Sequence, residues 1–470
     1  MAKPEGILRP IKDIFGGVKL PHNKDTAEVH SVIMPSPDTV VIAMQQHIGA
    51  ECEPCVKRGD TVYVGTKIGD SDKFISAPIH SSVSGTVDSI GTMLLPSGKT
   101  CQTVVINSDG LMTPDPELKP QTVETKEQLV KASRDSGLVG LGGAGFPAHV
   151  KLNVNENTNI DTLIVNGAEC EPYITSDYRE CVENTDSILG GIFLIKKILG
   201  IKNVIIAVED NKPHAISKLQ KMAEDALGHT DGVNSTDDEK VKILYKIASD
   251  SRDTDDSVKL MRLKSQYPQG AEKVLIYTTT GRKLPLGKLP SDVGCLVMNI
   301  TSISYLYKYI TTGMPVVSRT VTVAGNAVAN PQNVVVPIGT SVESIIEFCG
   351  GYKMAARKVL YGGPMMGTAL VNTKMPLLKQ NNAILVLGRK AAEKYTENPC
   401  IRCGRCANTC PMALQPLEIE SSLRIGDICR VKELYADYCI ECGCCSYVCP
   451  SKRHLTQTMR LAKAELRNLK

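Results

Sequence analysis

Tryptophan is absent from this chain, and only 5 of its 470 residues are phenylalanine. With aromatics at 4%, the stacking platforms that single-stranded nucleic acids need are missing. A dominant charge is missing too. The 54 Lys and Arg against 50 Asp and Glu leave a net +4, too near neutral for a nucleic-acid or polybasic membrane surface. No nucleic-acid partner is expected. The most apolar stretch, Ile188 to Val208, is broken by Lys196, Lys197 and Lys202 and falls short of the ~20 apolar residues that span a bilayer. The start, Met1-Ala2-Lys3-Pro4-Glu5-Gly6, lacks the apolar core of a secretory signal, so a reducing compartment is expected. His22, His30, His47, His80, His149, His214, His229 and His454 are scattered without metal-ligand spacing, and no Ser-His-Asp or other nucleophilic constellation is apparent.

What is present in excess is cysteine. Ten of the 17 lie between Cys400 and Cys449. Cys400, Cys403, Cys406 and Cys410, with Pro411 behind, read C-x2-C-x2-C-x3-C-P, and the register recurs at Cys439, Cys442, Cys445, Cys449 and Pro450. This spacing resembles the bacterial ferredoxins with two [4Fe-4S] clusters, in which the fourth cysteine serves the other cluster. That rule assigns Cys400, Cys403, Cys406 and Cys449 to one cluster and Cys439, Cys442, Cys445 and Cys410 to the second. Three thiolates two residues apart curl a tight loop around one cubane, and Gly404 and Gly443 let its backbone come close. The fourth cysteine, with proline behind it, is expected to open a short helix. The competing reading is zinc, which needs two C-x-x-C pairs but neither the third cysteine nor the trailing proline. Cys444 is out of register and is expected to pack beside a cluster; Cys429 is expected in the core.

Upstream, residues 1–115 read as all-β. Val40 to Met44, Thr61 to Val64 and Thr103 to Ile106 are short β-branched runs between Gly and Pro breakers. Ser76 to Val87 resembles the hammerhead of lipoyl and biotinyl domains. Lys73 lacks the flanking residues of a swinging arm, so a structural or docking module is expected. Cys52-Glu53-Pro54-Cys55 is a C-x-x-C without a βαβ context or second pair, and a turn is expected there. Gly-Ala-Glu-Cys-Glu-Pro occurs at both 49–54 and 167–172 with different flanks, and is read as coincidence. A Pro-rich linker, Met112 to Lys126, follows. From 125 to 312 helix and strand patterns alternate, as α/β folds do. Lys126 to Ser136, Asp177 to Leu199 and Pro213 to Leu227 read as helices. Asp161 to Asn166, Asn203 to Val208, Val274 to Tyr277 and Leu296 to Met298 read as strands.

Gly140, Gly142, Gly143 and Gly145 lie in a loop ending Phe146-Pro147 that formally contains G-x-G-x-x-G. A helix precedes it and a proline follows, so the Rossmann reading fails. Consecutive glycines still expose backbone N–H groups that cradle a phosphate or a ring edge. The loop resembles the first signature of the NADH-binding flavoprotein of respiratory complex I. Asn166 to Pro172, Tyr267 to Glu272 and Met298 to Ser302 resemble its later signatures. Val321 to Gly325 through Pro337 to Thr340 looks like its β-grasp module. The order of modules, with Phe15 to His22 and Gly362 to Gly367, resembles the RnfC component of Rnf-type ferredoxin:NAD+ oxidoreductases, which pump Na+ or H+.

The resemblance implies an α/β multidomain fold. It comprises a barrel-sandwich hammerhead (1–115), an FMN/NADH-binding α/β core (125–312), a β-grasp module (316–390) and a two-cluster ferredoxin domain (391–470). It implies FMN, two [4Fe-4S] clusters and NAD(H) as substrate. Gly140, Gly142 and Lys151 match flavin phosphate and ring-edge positions. Asn166, Glu169, Tyr267, Gly270, Asn299 and Ser302 match further flavin positions; Phe146, Glu171 and Glu272 match positions near the nicotinamide. Leu141 stands where the complex I protein has Arg, Ala168 where it has Asp, and Cys170 where it has a small residue. The implied place is the cytoplasmic face of the cell membrane, held by integral-membrane and other subunits, with ferredoxin as an indirect partner. Alternatives are a soluble microcompartment-type cobalamin reductase, disfavoured because the hammerhead comes first here, and a non-catalytic electron wire.

Overall fold

The computed structural model describes residues 7–8, 16–96, 98–155, 158–227, 257–285 and 287–469. Five parallel strands form one sheet in the order Ile7–Leu8, Ser257–Leu263, Asn203–Glu209, Thr162–Gly167 and Cys295–Asn299. Leu163, Val165, Val204 and Ile206 face a core shared with the helices Thr185–Leu199 and Ile300–Thr312. Ile164, Ile205 and Val297 face a second core with the helix Glu272–Thr280. A parallel strand covered on both faces needs apolar residues at nearly every position, which is why Thr162–Gly167, Asn203–Glu209 and Cys295–Asn299 read as continuous runs, whereas Ser257–Leu263 carries exposed Lys259 and Arg262.

Two expectations fail in this core. Val274 to Tyr277 is helical, within Glu272–Thr280. Its buried Val274, Leu275, Thr278 and Thr279 recur at helical spacing, and the helix closes on left-handed Gly281; a short apolar run alone does not distinguish the two states. The expected single helix from Asp177 to Leu199 is two, Ser176–Glu183 and Thr185–Leu199, broken at Asn184, which leaves helical geometry at φ −130°.

The N-terminal barrel pairs Thr39–Ala43, Thr100–Ser108, Gly85–Leu94 and Thr61–Val62 in one sheet and Glu53–Pro54, Lys67–Asp70 and Ile79–His80 in another. Glu53–Pro54 is thus a short strand and not the expected turn. A mixed six-stranded sheet follows, ordered Thr368–Ala369, Ala356–Tyr361, Ala383–Gly388, Ser318–Ala324, Gln332–Pro337 and Val32–Ile33, with the helix Val342–Phe348 on its core. Ile7–Leu8 and Val32–Ile33 therefore lace the N-terminal segment into the other two sheets. Two-residue strands have no periodicity to read.

The cysteine-rich segment packs the helices Pro416–Arg424, Ile428–Glu433 and Leu455–Asn468 and the turn Ala436–Tyr438 around Ile419, Val431, Ala436 and Met459. Its small helices Arg405–Asn408 and Cys444–Val448 end just before Cys410 and at Cys449; they do not start from them. Cys449 is extended (ψ 115°), as a residue before proline prefers. Cys429, expected in the core, is exposed.

Candidate functional site

The C-terminal ends of Thr162–Gly167 and Cys295–Asn299 meet the glycine loop, at the edge where open parallel sheets bind ligands. The loop is closed by Gly140 N–H to Phe146 O (2.8 Å) and Gly145 N–H to Gly140 O (3.1 Å). Gly143 (φ +115°) and Gly145 (φ +65°) make that tight return, a backbone path L side chains disfavour. Gly142 to Ala144 project into solvent while Leu141 is buried. The Leu141 N–H donates to Ser302 Oγ (2.9 Å). Asn299 caps the helix Ile300–Thr312 by accepting from Ser302 N–H (3.1 Å). Exposed loop amides thus sit beside a helix N-terminus, an arrangement that favours an anion.

Behind the loop lies a buried polar chain. Asp177 accepts from Asn299 Nδ2 (2.8 Å) and Thr301 Oγ1 (2.6 Å), and its own N–H donates to Glu169 Oε1 (2.7 Å). Burial pushes the Glu169 carboxyl up to about 7, against the pull of Lys24, and its Oε2 has no protein partner. Lys24, which sequence reasoning missed, donates to the carbonyls of Glu169 (2.8 Å), Glu171 (2.9 Å) and Ile174. It follows the Phe15 to His22 motif, the one sequence signal near it. Asn166 Nδ2 donates to Gly270 O (2.9 Å). Lys151 pairs with Glu272 (2.7 Å), so these two residues neutralise each other at one edge of the site. Phe146 is half-buried beside the loop.

Tyr267 and Glu171 do something the sequence did not suggest. Tyr267 is 2% exposed, and its hydroxyl donates to the Cys442 carbonyl (2.7 Å). Glu171 accepts from the N–H groups of Met365 (3.1 Å) and Met366 (2.8 Å), and desolvation there pushes its carboxyl up to about 7. A Cβ on Gly363 would lie 2.2 Å from Glu171 Oε2, so that loop approaches only because Gly363 has none. A Cβ on Gly443 would lie 3.0 Å from Met365 O. Gly17 and Thr409 exchange two hydrogen bonds, each 2.8 Å. The sheet-end site and the cysteine-rich segment are thus joined through 16–18, 267 and 363–366.

Cys400, Cys403, Cys406 and Cys449 line one cavity; Cys410, Cys439, Cys442 and Cys445, with Cys444, line another. The two halves repeat in backbone as well as in sequence. Left-handed residues stand two, four and thirteen positions after each first cysteine: Arg402, Gly404 and Ala413, then Glu441, Gly443 and Lys452. Arg402 and Glu441 each donate N–H to the preceding Cys Sγ at 3.3 Å. Among the described residues no three His, Cys, Asp or Glu groups converge as a single metal ion requires. Each cavity brings together three cysteines of one register and the fourth of the other, the donor set of a ferredoxin cluster. Burial pushes Cys439 up to about 11 and Cys445 to about 12, so bound iron would have to displace their protons.

Residues 133–308 match the Nuo51 FMN-binding domain, 12–111 the RnfC barrel sandwich hybrid domain and 320–369 the SLBB domain. The fold and its sheet-end site therefore define a flavoprotein of the electron-transport class. The RnfC component of the Na+-translocating ferredoxin:NAD+ oxidoreductase complex of Acetobacterium woodii is 40% identical over 96% of both chains. The proton-translocating counterpart from Clostridium ljungdahlii is 39% identical over 86% of this chain and 83% of that one. The corresponding component of the ion-translocating oxidoreductase complex of Rhodobacter capsulatus is 37% identical over 87% and 74%. This chain belongs to that family, the RnfC components of ion-translocating ferredoxin:NAD+ oxidoreductase complexes. Among the described residues no helix is long and apolar enough to cross a membrane.

Proposed function

We propose that this chain is the component through which such a complex exchanges a hydride with NAD(H) and single electrons with its partners. FMN, when bound, supplies the conversion between two-electron and one-electron chemistry, and [4Fe-4S] clusters supply single-electron carriage. The loop amides of Gly142 to Ala144 and the capped helix end at Asn299 would bind the flavin phosphate. Glu169, with its free Oε2, would orient the ring. Phe146, Glu171 and Glu272 would serve the nicotinamide. Cys400, Cys403, Cys406 and Cys449 would hold one cluster and Cys410, Cys439, Cys442 and Cys445 the other.

The observation that carries this reading is the seam. One cysteine foursome is locked to the sheet-end site through Tyr267 and the 363–366 loop, while the other contains the exposed Cys400 and Cys403. That polarity suits a conductor with one inner and one outer terminus. The chain would be held at the cytoplasmic face by integral-membrane and other subunits, with ferredoxin acting through them. The test is anaerobic mixing of FMN-loaded protein with NADH. Bleaching of the iron–sulfur absorption is expected; an FMN-loaded protein that NADH leaves unbleached contradicts the proposal. The wire reading has one observation on its side, the Lys151–Glu272 pair, in which each charge is already partly compensated without a ligand.

A further inference from the structure

Arg319 is the largest fully buried side chain in the described structure. It lies on Ser318–Ala324, in the sheet beyond the flavoprotein core, yet reaches back beneath the glycine loop. One terminal nitrogen donates to Leu141 O (2.9 Å). Nε and the other terminal nitrogen have no partner. The nearby acids are already engaged: Asp177 with Asn299 and Thr301, and Glu180 with Lys308 (2.8 Å) and Ser304. The guanidinium carbon lies 5.9 Å from the centre of the Tyr305 ring, a weak compensation for a desolvated cation.

A buried, unpaired cation is costly enough to need a reason. Residues 140–145, Gly-Leu-Gly-Gly-Ala-Gly, carry no charged side chain. The exposed loop residues 142–144 and the helix start at Asn299 offer backbone N–H groups to an anion, and the guanidinium holds the same loop through Leu141 O. Leu141 is held from both sides, its N–H by Ser302 and its carbonyl by Arg319. We propose that Arg319 is a positioning residue for a phosphate ester at the glycine loop. It pins the Leu141 carbonyl so that the tip amides face outward, and it supplies the positive charge that the loop lacks. The inference rests on the flavin reading above and adds that the β-grasp sheet contributes to ligand binding. The phosphate is the flavin's or the dinucleotide's.

The test compares wild type, Arg319→Met and Arg319→Lys in the full chain, with folding followed by circular dichroism. FMN and riboflavin are titrated by flavin fluorescence, and the KM for NADH is measured. In Arg319→Met the Kd for FMN is expected to rise about tenfold while that for riboflavin, which lacks the phosphate, stays within about twofold. Arg319→Lys should keep most of the preference for FMN. A rise confined to the NADH KM would assign the phosphate to the dinucleotide and support the same role. Equal loss of both flavins, as a packing role would give, overturns the inference, and so does an unchanged FMN preference with an unchanged NADH KM. Should Arg319→Met not fold, Arg319→Gln decides by the same measurements: a reduced preference for FMN over riboflavin supports the role, and an unchanged preference with an unchanged NADH KM overturns it. Wild-type protein that binds neither flavin overturns the reading of the site and this inference with it. Wild-type binding without a variant effect overturns this inference alone.

Discussion

The two cysteine foursomes share spacing, left-handed backbone positions and amide-to-sulfur hydrogen bonds, yet their surroundings differ. Around Cys410, Cys439, Cys442 and Cys445 the backbone is gripped by Tyr267, Met365 and the 16–18 segment. Around Cys400, Cys403, Cys406 and Cys449 it is not, and Ile401 beside them is 67% exposed. A duplicated motif thus makes two equivalent cavities, and the neighbours that the chain packs against one of them give the pair a direction.

The largest expected effect separates the halves outright. Cys442→Ala and Cys403→Ala should each lower bound iron from about eight to about four atoms per chain. Only Cys442→Ala should also loosen the seam, seen as faster hydrogen exchange at Met365 and Met366. Equal exchange in both variants would erase the distinction. Next, Tyr267→Phe removes one buried hydrogen bond and leaves the Cys442 carbonyl unpaired, so about 1–3 kcal/mol of stability should be lost at the seam. Tyr447→Phe, at a half-exposed position on the same segment, should change stability in the same denaturation experiment by less than about 0.5 kcal/mol.

The seam should also respond to pH. Glu171 has its carboxyl raised to about 7 in the folded protein by desolvation. Between the ordinary carboxylate range and about 7 the folded state then holds the proton that the unfolded state has lost. Stability from this group is present at low pH and declines as pH rises through that window. This group alone should cost wild type roughly 3 kcal/mol across it, and Glu171→Gln should show a flatter profile in parallel denaturant titrations. The smallest effect is a difference between glycines. Gly404→Ala and Gly443→Ala each force a side chain into left-handed backbone (φ +71° and +81°), at about 1–2 kcal/mol. Space around Gly404 is open, whereas Gly443 meets Met365 O, so its variant should unfold at the lower denaturant concentration.

Much of this was legible in the sequence. The cysteine register already implied two foursomes, because ligand spacing along a wrapping loop is local. The α/β core showed itself as apolar runs at 161–166 and 203–208 interleaved with amphipathic helices. What stayed hidden depends on distant packing. Tyr267 reads as one aromatic within a flavoprotein motif, and its bond to Cys442 spans 175 residues. Lys24 looks like a surface lysine but is half-buried, its ammonium donating to three carbonyls of the 169–174 turn. Arg319 lies outside every motif. Val274 to Tyr277 misled because four apolar residues fit either secondary structure, and the break at Asn184 left no proline or glycine to mark it.

Whether eight cysteines seat two four-iron clusters is tested most directly by iron counting with EPR on anaerobically prepared, dithionite-reduced protein. About eight irons per chain, with signals of two interacting reduced cubanes, is the predicted result. About two irons or fewer, or zinc in their place, would contradict it.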